Sequence, residues 1–313
     1  MDDTLSAGYE GLRQSAAWLD LSGRGRLRIS GEDRARLLNA MATNQVQSLQ
    51  PGQGCYLFFL NAQGRILGDA NVFCFADHLL LDTEPETRQK LLEHLDRYII
   101  ADDVTIEDVT ETTAAIAVEG PQAEAVVASL AMGVPETAGS WTSWGSRTIA
   151  RVSSTGSAGF CIFAPAGEKA SLLAQLTGIP QATPDDARTV RIEHGRPRYG
   201  EEITERYLVQ ETGQLQAVNF SKGCYLGQEI VERVRSRAQI HRLLHRIEID
   251  TAEIPAAGTK LTSGDAEAAE IASAAYSPGL GKVAAMAYVR VQFAKPGTEL
   301  SWGGVPARVS LPS

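Results

Sequence analysis

Lys222-Gly223-Cys224-Tyr225-Leu226-Gly227-Gln228-Glu229 compresses a cation, a lone thiol, two glycines and an amide into eight residues. Gly223 and Gly227 permit backbone angles that other residues resist, so the segment can turn tightly and present its backbone. From Gln228 onward, Ile230, Val231 and Val234 recur at helical spacing between charged residues, which predicts a helix starting at the segment's end. A thiol beside a helix N-terminus and two residues from an ammonium group is expected to have a depressed pKa. It would then serve as a nucleophile or metal ligand. An isolated cysteine is more often a small buried hydrophobe, but the crowding of special residues here favours a site, with Cys224 as its catalytic group.

Upstream, Cys55 to Leu60 reads as a buried strand, Asn61-Ala62-Gln63-Gly64 as a hairpin turn, and Arg65 to Phe75 as the returning strand. Alternation at Leu27 and Ile29 precedes a helical pattern from Glu32-Asp33 through Leu37, Leu38 and Met41. His78 to Leu81 and the region of Val104 and Ile106 are further strands, flanking an amphipathic helix over Glu84 to Tyr98. A similar succession follows. Ala114 to Val118 is a strand, and Gly120-Pro121 opens a helix with proline at its favoured first position. Thr148 to Val152 and Phe160 to Phe163 are strands, and Glu168 to Leu176 is a helix. Pro184-Asp185-Asp186 starts a helix that carries Val190, Arg191 and Glu193 and stops at Gly195.

Helices interleaved with hairpins predict an α+β fold rather than a doubly wound parallel sheet. After about Ile240 the pattern changes to short strand candidates split by glycine or proline: Leu243 to Ile249, Thr259 to Leu261, Glu270 to Tyr276, Lys282 to Val289 and Thr298 to Leu311. These predict a small C-terminal antiparallel β-barrel.

Composition bounds the function. At 313 residues, with 43% hydrophobic and 21% charged side chains, the chain is an ordinary globular protein of two or three units. A formal net charge of -9 argues against a general nucleic-acid binder. Cys55, Cys74, Cys161 and Cys224 lie far apart with no CxxC pair, a poor pattern for zinc or for a disulfide framework. A reduced, cytoplasmic setting is expected. Met1-Asp2-Asp3-Thr4 leads into no apolar run, and no segment reaches the ~20 apolar residues of a membrane helix. Residues 222–246 hold six lysines and arginines (Lys222, Arg233, Arg235, Arg237, Arg242, Arg246) against Glu229 and Glu232. This basic island reads equally as a steering patch for an anion and as a solvated face. His241 and His245 are i, i+4, but Leu243-Leu244 make a strand the better reading.

Several segments, taken in order, resemble the folate-binding family of the glycine-cleavage T-protein (aminomethyltransferase). They are Thr43-Asn44-Gln45-Val46 with Pro51-Gly52, Leu60 to Ile66, Arg191-Ile192-Glu193-His194-Gly195 with Tyr199-Gly200, and Gly279-Leu280-Gly281. Lys222 to Glu229 looks specifically like the YgfZ-type iron–sulfur cluster assembly factors within that family. The resemblance implies a ring of three domains around a central hole that accepts tetrahydrofolate, built from ferredoxin-like α+β units and a last small β-barrel. Residues 1–239 would form two interleaved domains, the second inserted at about 50–110, and residues 240–313 the barrel.

Carried over residue by residue, the resemblance gives Glu193 the role of gripping the pterin edge, where a carboxylate accepts paired hydrogen bonds. On its own that glutamate reads as a solvated helix residue. Asn61, Gln63, Arg65 and Tyr199 fall in pocket-lining segments, and Lys222, Gln228 and Arg233, in and after the cysteine segment, are expected to bind the folate as well. The T-protein has two adjacent acids where this chain has Gly68-Asp69. Asp69 is therefore a folate ligand or a strand-edge aspartate, and full aminomethyl transfer loses one of its carboxylates. The leading function implied is a tetrahydrofolate-binding accessory factor for iron–sulfur cluster assembly or repair, with cluster-assembly or client proteins as partners. One cysteine cannot hold a cluster alone. The alternatives are a tetrahydrofolate-dependent aminomethyl or methyl transferase, and a folate-binding module in tRNA modification.

Overall fold

The structure, a computed structural model, describes residues 5–131, 133–237 and 240–310. It opens with α1 (Ala7–Gln14), whose N-cap Ser6 accepts a hydrogen bond from the Tyr9 amide, and β1 (Ala17–Asp20). The chain then leaves the sheet of β1 to build another. That second sheet uses β2 (Gly25–Ser30), α2 (Arg34–Met41), β3 (Gly54–Leu60), β4 (Ile66–Cys74), β5 (His78–Thr83), α3 (Arg88–Asp96) and β6 (Thr105–Asp108). Its strand order is β3-β4-β5-β2-β6, antiparallel throughout. On return the chain adds β7 (Thr113–Glu119), α4 (Ala123–Leu130), β8 (Trp141–Trp144), β9 (Arg147–Ala150) and β10 (Gly159–Pro165). The first sheet is then β1-β7-β10-β9-β8.

The excursion expected at about 50–110 thus begins earlier, because Leu27 and Ile29 of β2 pair with Leu81 and Leu79 of β5 inside the second sheet. The helix expected over Glu84 to Tyr98 is split into a 3-10 turn, Pro85–Thr87, and α3, with Pro85 starting the turn. β1 and β8 have four residues each, too few to show a period.

Each sheet buries one face under helices. Leu57, Phe59, Val72 and Leu81 pack on Leu38 of α2 and on Leu91 and Leu95 of α3. Ile116, Val118, Phe160 and Ile162 pack on Val127 of α4 and Leu172 of α5 (Lys169–Gln175). The other faces meet each other, with Phe73 and Leu80 against Ala115, Cys161 and Phe163. The Phe73 and Phe163 ring centroids lie 5.5 Å apart. Burying each such ring contributes about 1.5–3 kcal/mol, so this contact fixes how the two sheets face one another.

Thr183 caps α6 (Pro184–Glu193) in a reciprocal box with Asp186, and Pro184 occupies the first turn. Residues 194–227 then run without long helices to α7 (Gln228–Arg237). The remaining strands are β11 (Arg242–Ile249), β12 (Lys260–Ser263), β13 (Ala266–Ser277), β14 (Lys282–Arg290), β15 (Glu299–Trp302) and β16 (Val305–Val309). They close into an antiparallel barrel in the order β11-β14-β13-β12-β15-β16. Ala269, Ala274, Ala285, Ala287 and Ala307 alternate with Ile247, Ile249, Leu261, Val283 and Val289 in its core. Small beside large residues let six strands close over a filled interior. The strand expected from Thr298 to Leu311 is two strands, because Gly303 and Gly304 turn the chain at φ of 57° and 92°; Leu311 lies outside the described residues.

Candidate ligand site

A cavity of about 440 Å³ lies between the two sheets and the segment that follows α6. Arg24, Tyr56, Asp69, Glu84, Glu119 and Arg196 contribute to its wall. Asp69 stands in β4 opposite Phe58 of β3. The pleat brings Tyr56 to the diagonal position, and its hydroxyl donates to Asp69 Oδ2 at 2.6 Å. Burial, together with the negative charge of Glu84, pushes Asp69 up to about 6, although the Tyr56 hydrogen bond opposes the shift. Burial and Asp69 also raise the Tyr56 phenol well above its ordinary value, so it remains a donor. Asp69 Oδ1 accepts no hydrogen bond from a described side chain or amide. The carboxyl group is therefore held by one oxygen, with the other uncommitted.

Burial opposes ionisation of Glu84, but Arg24 and Arg198 outweigh it and hold Glu84 below the usual carboxylate range. Glu119 ends β7 and is fully buried. Its Oε1 accepts the Ser154 amide and hydroxyl at 2.7 Å each. Its Oε2 accepts the Ser153 hydroxyl at 2.8 Å, the Thr155 amide at 2.9 Å and the Thr155 hydroxyl. Five donors saturate this carboxylate, so it shapes the 153–155 loop rather than offering a free acceptor.

Of the ten site residues singled out in the sequence, only Asp69 lines this cavity. Glu193, expected to grip the pterin edge, lies outside the wall of this cavity. It lies at the end of α6, almost wholly buried, where Oε1 accepts the Tyr9 hydroxyl at 2.6 Å and the Ser277 hydroxyl. Oε2 accepts Arg13. Three side chains from α1 and the barrel thus take three of the roughly four acceptor positions of this carboxylate. Tyr199 is buried under Lys90, whose ammonium donates to its hydroxyl at 3.1 Å. Asn61 Oδ1 accepts the Gln63 and Arg65 amides at 3.0 and 2.9 Å and so shapes the hairpin turn. The Arg65 guanidinium donates to the Arg206 carbonyl at 2.8 Å.

The Lys222–Glu229 segment is bound to the second sheet's own helix. The Lys222 ammonium is buried and donates to the carbonyls of Asn39, Ala42 and Asn44 at 2.6, 2.6 and 2.8 Å. Three donors meet three acceptors. Burial pushes this amine down to about 8, yet the carbonyls at the end of α2 favour the charged form, which places an ammonium there at neutral pH. Lys222 is therefore not the activating neighbour of Cys224. The Leu226 amide donates to Ala40 O at 3.0 Å. Gly227, at φ 84°, lies so close to the hairpin that a Cβ would fall 2.7 Å from Asn61 O. Gly64 is likewise close to Ile230 of α7. The glycines thus dock the segment on the Asn61–Gly64 turn and leave Cys224 exposed. Gln228 and Arg233 sit on α7 outside the cavity wall.

The basic island disperses in three dimensions. Lys222 points inward, Arg242 pairs with Glu211, and Arg246 holds Glu248 and the Glu193 carbonyl. Arg235 lies over the Phe220 ring, and the Arg237 side chain is outside the described residues. His245 falls in β11 and His241 outside any helix, so the i, i+4 ligand pair does not form. Among the described residues no group of three or more histidine, cysteine or acidic side chains could hold a metal ion. No helix among them is long and apolar enough to cross a membrane.

Tyr56, Glu84, Glu119 and Arg196 were not foreseen. Tyr56 carried a signal: in β3 it shares a face with Phe58, directly opposite Asp69. The other three sit at element ends or in a loop, where no period operates.

The first 222 residues match the model of the GCVT N-terminal domain, and residues 242–312 match the glycine cleavage T-protein C-terminal barrel domain. The aminomethyltransferase of Streptomyces coelicolor is 29% identical over 92% of this chain and 82% of its own length. That of Rubrobacter xylanophilus is 29% identical over 91% and 79%. The crystal structure of glycine cleavage system aminomethyltransferase T from Bartonella henselae superposes with a TM-score of 0.88 over 97% of this chain and 88% of that one, at 22% identity, which speaks to fold. Two α+β sheets and a closed six-stranded barrel are thus the aminomethyltransferase-like fold, and the chain belongs to the glycine cleavage T-protein family.

Proposed function

We propose that this protein binds tetrahydrofolate in the cavity between its two sheets and that Asp69 contacts the folate there. The single observation that carries this reading is the Asp69 carboxyl, held by Tyr56 on one oxygen, uncommitted on the other, and shifted by burial to about 6. The family's aminomethyltransferases use tetrahydrofolate. A cavity of about 440 Å³ falls within the ~300–1,000 Å³ typical of small-ligand sites. The bound folate would supply amine nitrogens that carry a one-carbon unit. Asp69, able to exist in both protonation states near neutrality, is suited to hold or return a proton at Oδ1, while Tyr56 fixes its orientation.

Calorimetry with tetrahydrofolate tests this. Wild type should bind, and Asp69→Asn should weaken binding about tenfold or more while keeping the fold. Absence of binding by the wild type would reject the reading.

A second reading has its own observation. Cys224 is exposed on a segment fixed to the second sheet and lines no part of the folate cavity. A thiol so placed is presented to another protein, as a YgfZ-type factor for iron–sulfur cluster assembly or repair would require. In a deletion strain, Cys224→Ser should then fail to restore iron–sulfur enzyme activities. Full restoration by that variant would remove the thiol from the function and leave folate-dependent transfer of a one-carbon group.

A further inference from the structure

The arginines around the cavity are spent on carboxylates, with one exception. Arg24 holds Asp82 and Glu84, Arg188 holds Glu201, Arg191 spans Glu201 and Glu202, and Arg198 spans Glu84 and Glu86. The Arg196 guanidinium makes no hydrogen bond or ion pair with any described residue. It lies over the Tyr56 ring, 5.4 Å to the centroid, and its charge is near enough to Asp69 to favour that carboxylate without bonding to it. It is nonetheless half-buried, and its backbone is fixed. The Arg196 amide donates to Arg191 O at 2.9 Å, and Gly156 (φ 88°) packs so closely on His194 and Arg196 that a Cβ would meet the Arg196 Cβ at 3.4 Å.

A second cavity, of about 500 Å³, shares this wall. Tyr56, Asn71, Val152, Ser153 and Arg196 line both spaces. A planar fork of donors, partly withdrawn from water and left unpaired, matches a planar bidentate acceptor. One free guanidinium among so many acids suits a single negative charge, since the other arginine of the second cavity, Arg151, is already bound to Glu124. A phosphate dianion would face those acids with one cation to balance it.

We propose that Arg196 is a carboxylate-recognition residue at the boundary of the two cavities, taking either the glutamate tail of bound folate or a small carboxylate substrate in the second cavity. The first source rests on the folate reading above; the second does not. Bound there, the carboxylate stacks its guanidinium partner on Tyr56, whose hydroxyl orients Asp69, so recognition and the proton-handling carboxyl share one residue.

Calorimetry on wild type, Arg196→Met and Arg196→Lys distinguishes the sources. Tetrahydrofolate, tetrahydropteroate (which lacks the glutamate), p-aminobenzoylglutamate, glycine and acetate are the ligands. If the tail is recognised, Arg196→Met loses at least tenfold in tetrahydrofolate affinity, leaves tetrahydropteroate unchanged, and Arg196→Lys recovers part of the loss. If a second substrate is recognised, both folates bind unchanged and binding of glycine or acetate is lost in Arg196→Met. If wild type binds neither folate, the folate reading fails on its own. The Arg196 Nε–H resonance of the wild type, titrated with p-aminobenzoylglutamate and glycine, then decides: a saturable shift supports the proposal. Equal binding of every carboxylate to wild type and Arg196→Met, or a resonance that none of them moves, overturns it.

Discussion

Tyr9 donates its hydroxyl to Glu193 Oε1 across 2.6 Å, and the same oxygen of Tyr9 accepts the Gly279 amide at 2.9 Å. One phenol therefore links α1, the end of α6 and the turn between β13 and β14. A Cβ at Gly279 would come within 2.8 Å of that hydroxyl, so the glycine is needed for the approach. Arg13 and Ser277 complete the cluster. Two segments that resemble the family, around Glu193 and Gly279, meet here as a joint between the α+β region and the barrel.

Removing one member of a buried charged cluster strands the others, at a typical cost of about 3–5 kcal/mol. Glu193→Ala should lower the urea midpoint accordingly and leave tetrahydrofolate affinity within twofold of wild type. Unchanged stability together with weakened folate binding would return Glu193 to the ligand site.

Asp69 gives a prediction with a definite sign. Its pKa rises from 3.8 to about 6 on folding, so between those values the folded state holds a proton that the unfolded state has lost. Stability must then fall as pH rises through that window, by up to about 3 kcal/mol. Asp69→Asn keeps an acceptor for Tyr56 but removes the titration. Urea unfolding across pH 4–8 should show the variant gaining on wild type as pH rises through 6. Parallel pH profiles would contradict the buried, neutral-leaning carboxyl. For the ligand the dependence is reversed if the ionised form is the acceptor: wild-type folate affinity should drop below about pH 6.

The parts of this molecule governed by a period were legible in the sequence. The β3–β4 hairpin, α6 and most of the barrel strands stood where an apolar run with its turn, the Pro184-Asp185-Asp186 start and the glycine breaks put them. Of the residues the motifs name, only Asp69 lines the cavity between the sheets, because a motif names a residue but not what already occupies its hydrogen bonds. Glu193 and Lys222 are buried groups in recognisable motifs, and both spend their polar atoms on this chain: the first on Tyr9, Arg13 and Ser277, the second on three carbonyls. Those partners lie roughly 80 to 190 residues away in sequence, a pairing that no local pattern encodes. Arg196 was invisible for the converse reason, since an arginine without a partner looks like any other until its neighbours are placed.

Lys222→Met keeps much of the side chain's length and removes all three donors. The carbonyls of Asn39, Ala42 and Asn44 are then left to find water or remain unpaired, at about 1–3 kcal/mol for each buried acceptor that stays unsatisfied. Hydrogen exchange offers a local reading. The Leu226 amide, bonded to Ala40 O, should exchange at least tenfold faster in the variant, while amides of the barrel strands keep wild-type protection. Wild-type protection at Leu226 would show that the segment is held by Gly227 packing rather than by the ammonium.

The four thiols should separate by exposure. Burial pushes Cys55 up to about 12, raises Cys74, and holds Cys161 well above the ordinary thiol range, whereas Cys224 is exposed. An aromatic disulfide reagent at pH 8 should therefore label one equivalent rapidly in the folded protein and the other three only on unfolding. Cys224→Ser should abolish the fast phase. Because Cys224 lines neither cavity, alkylating it should leave tetrahydrofolate affinity within twofold. A loss of tenfold or more would tie the thiol to the folate after all, and with it to the proposed one-carbon chemistry at Asp69.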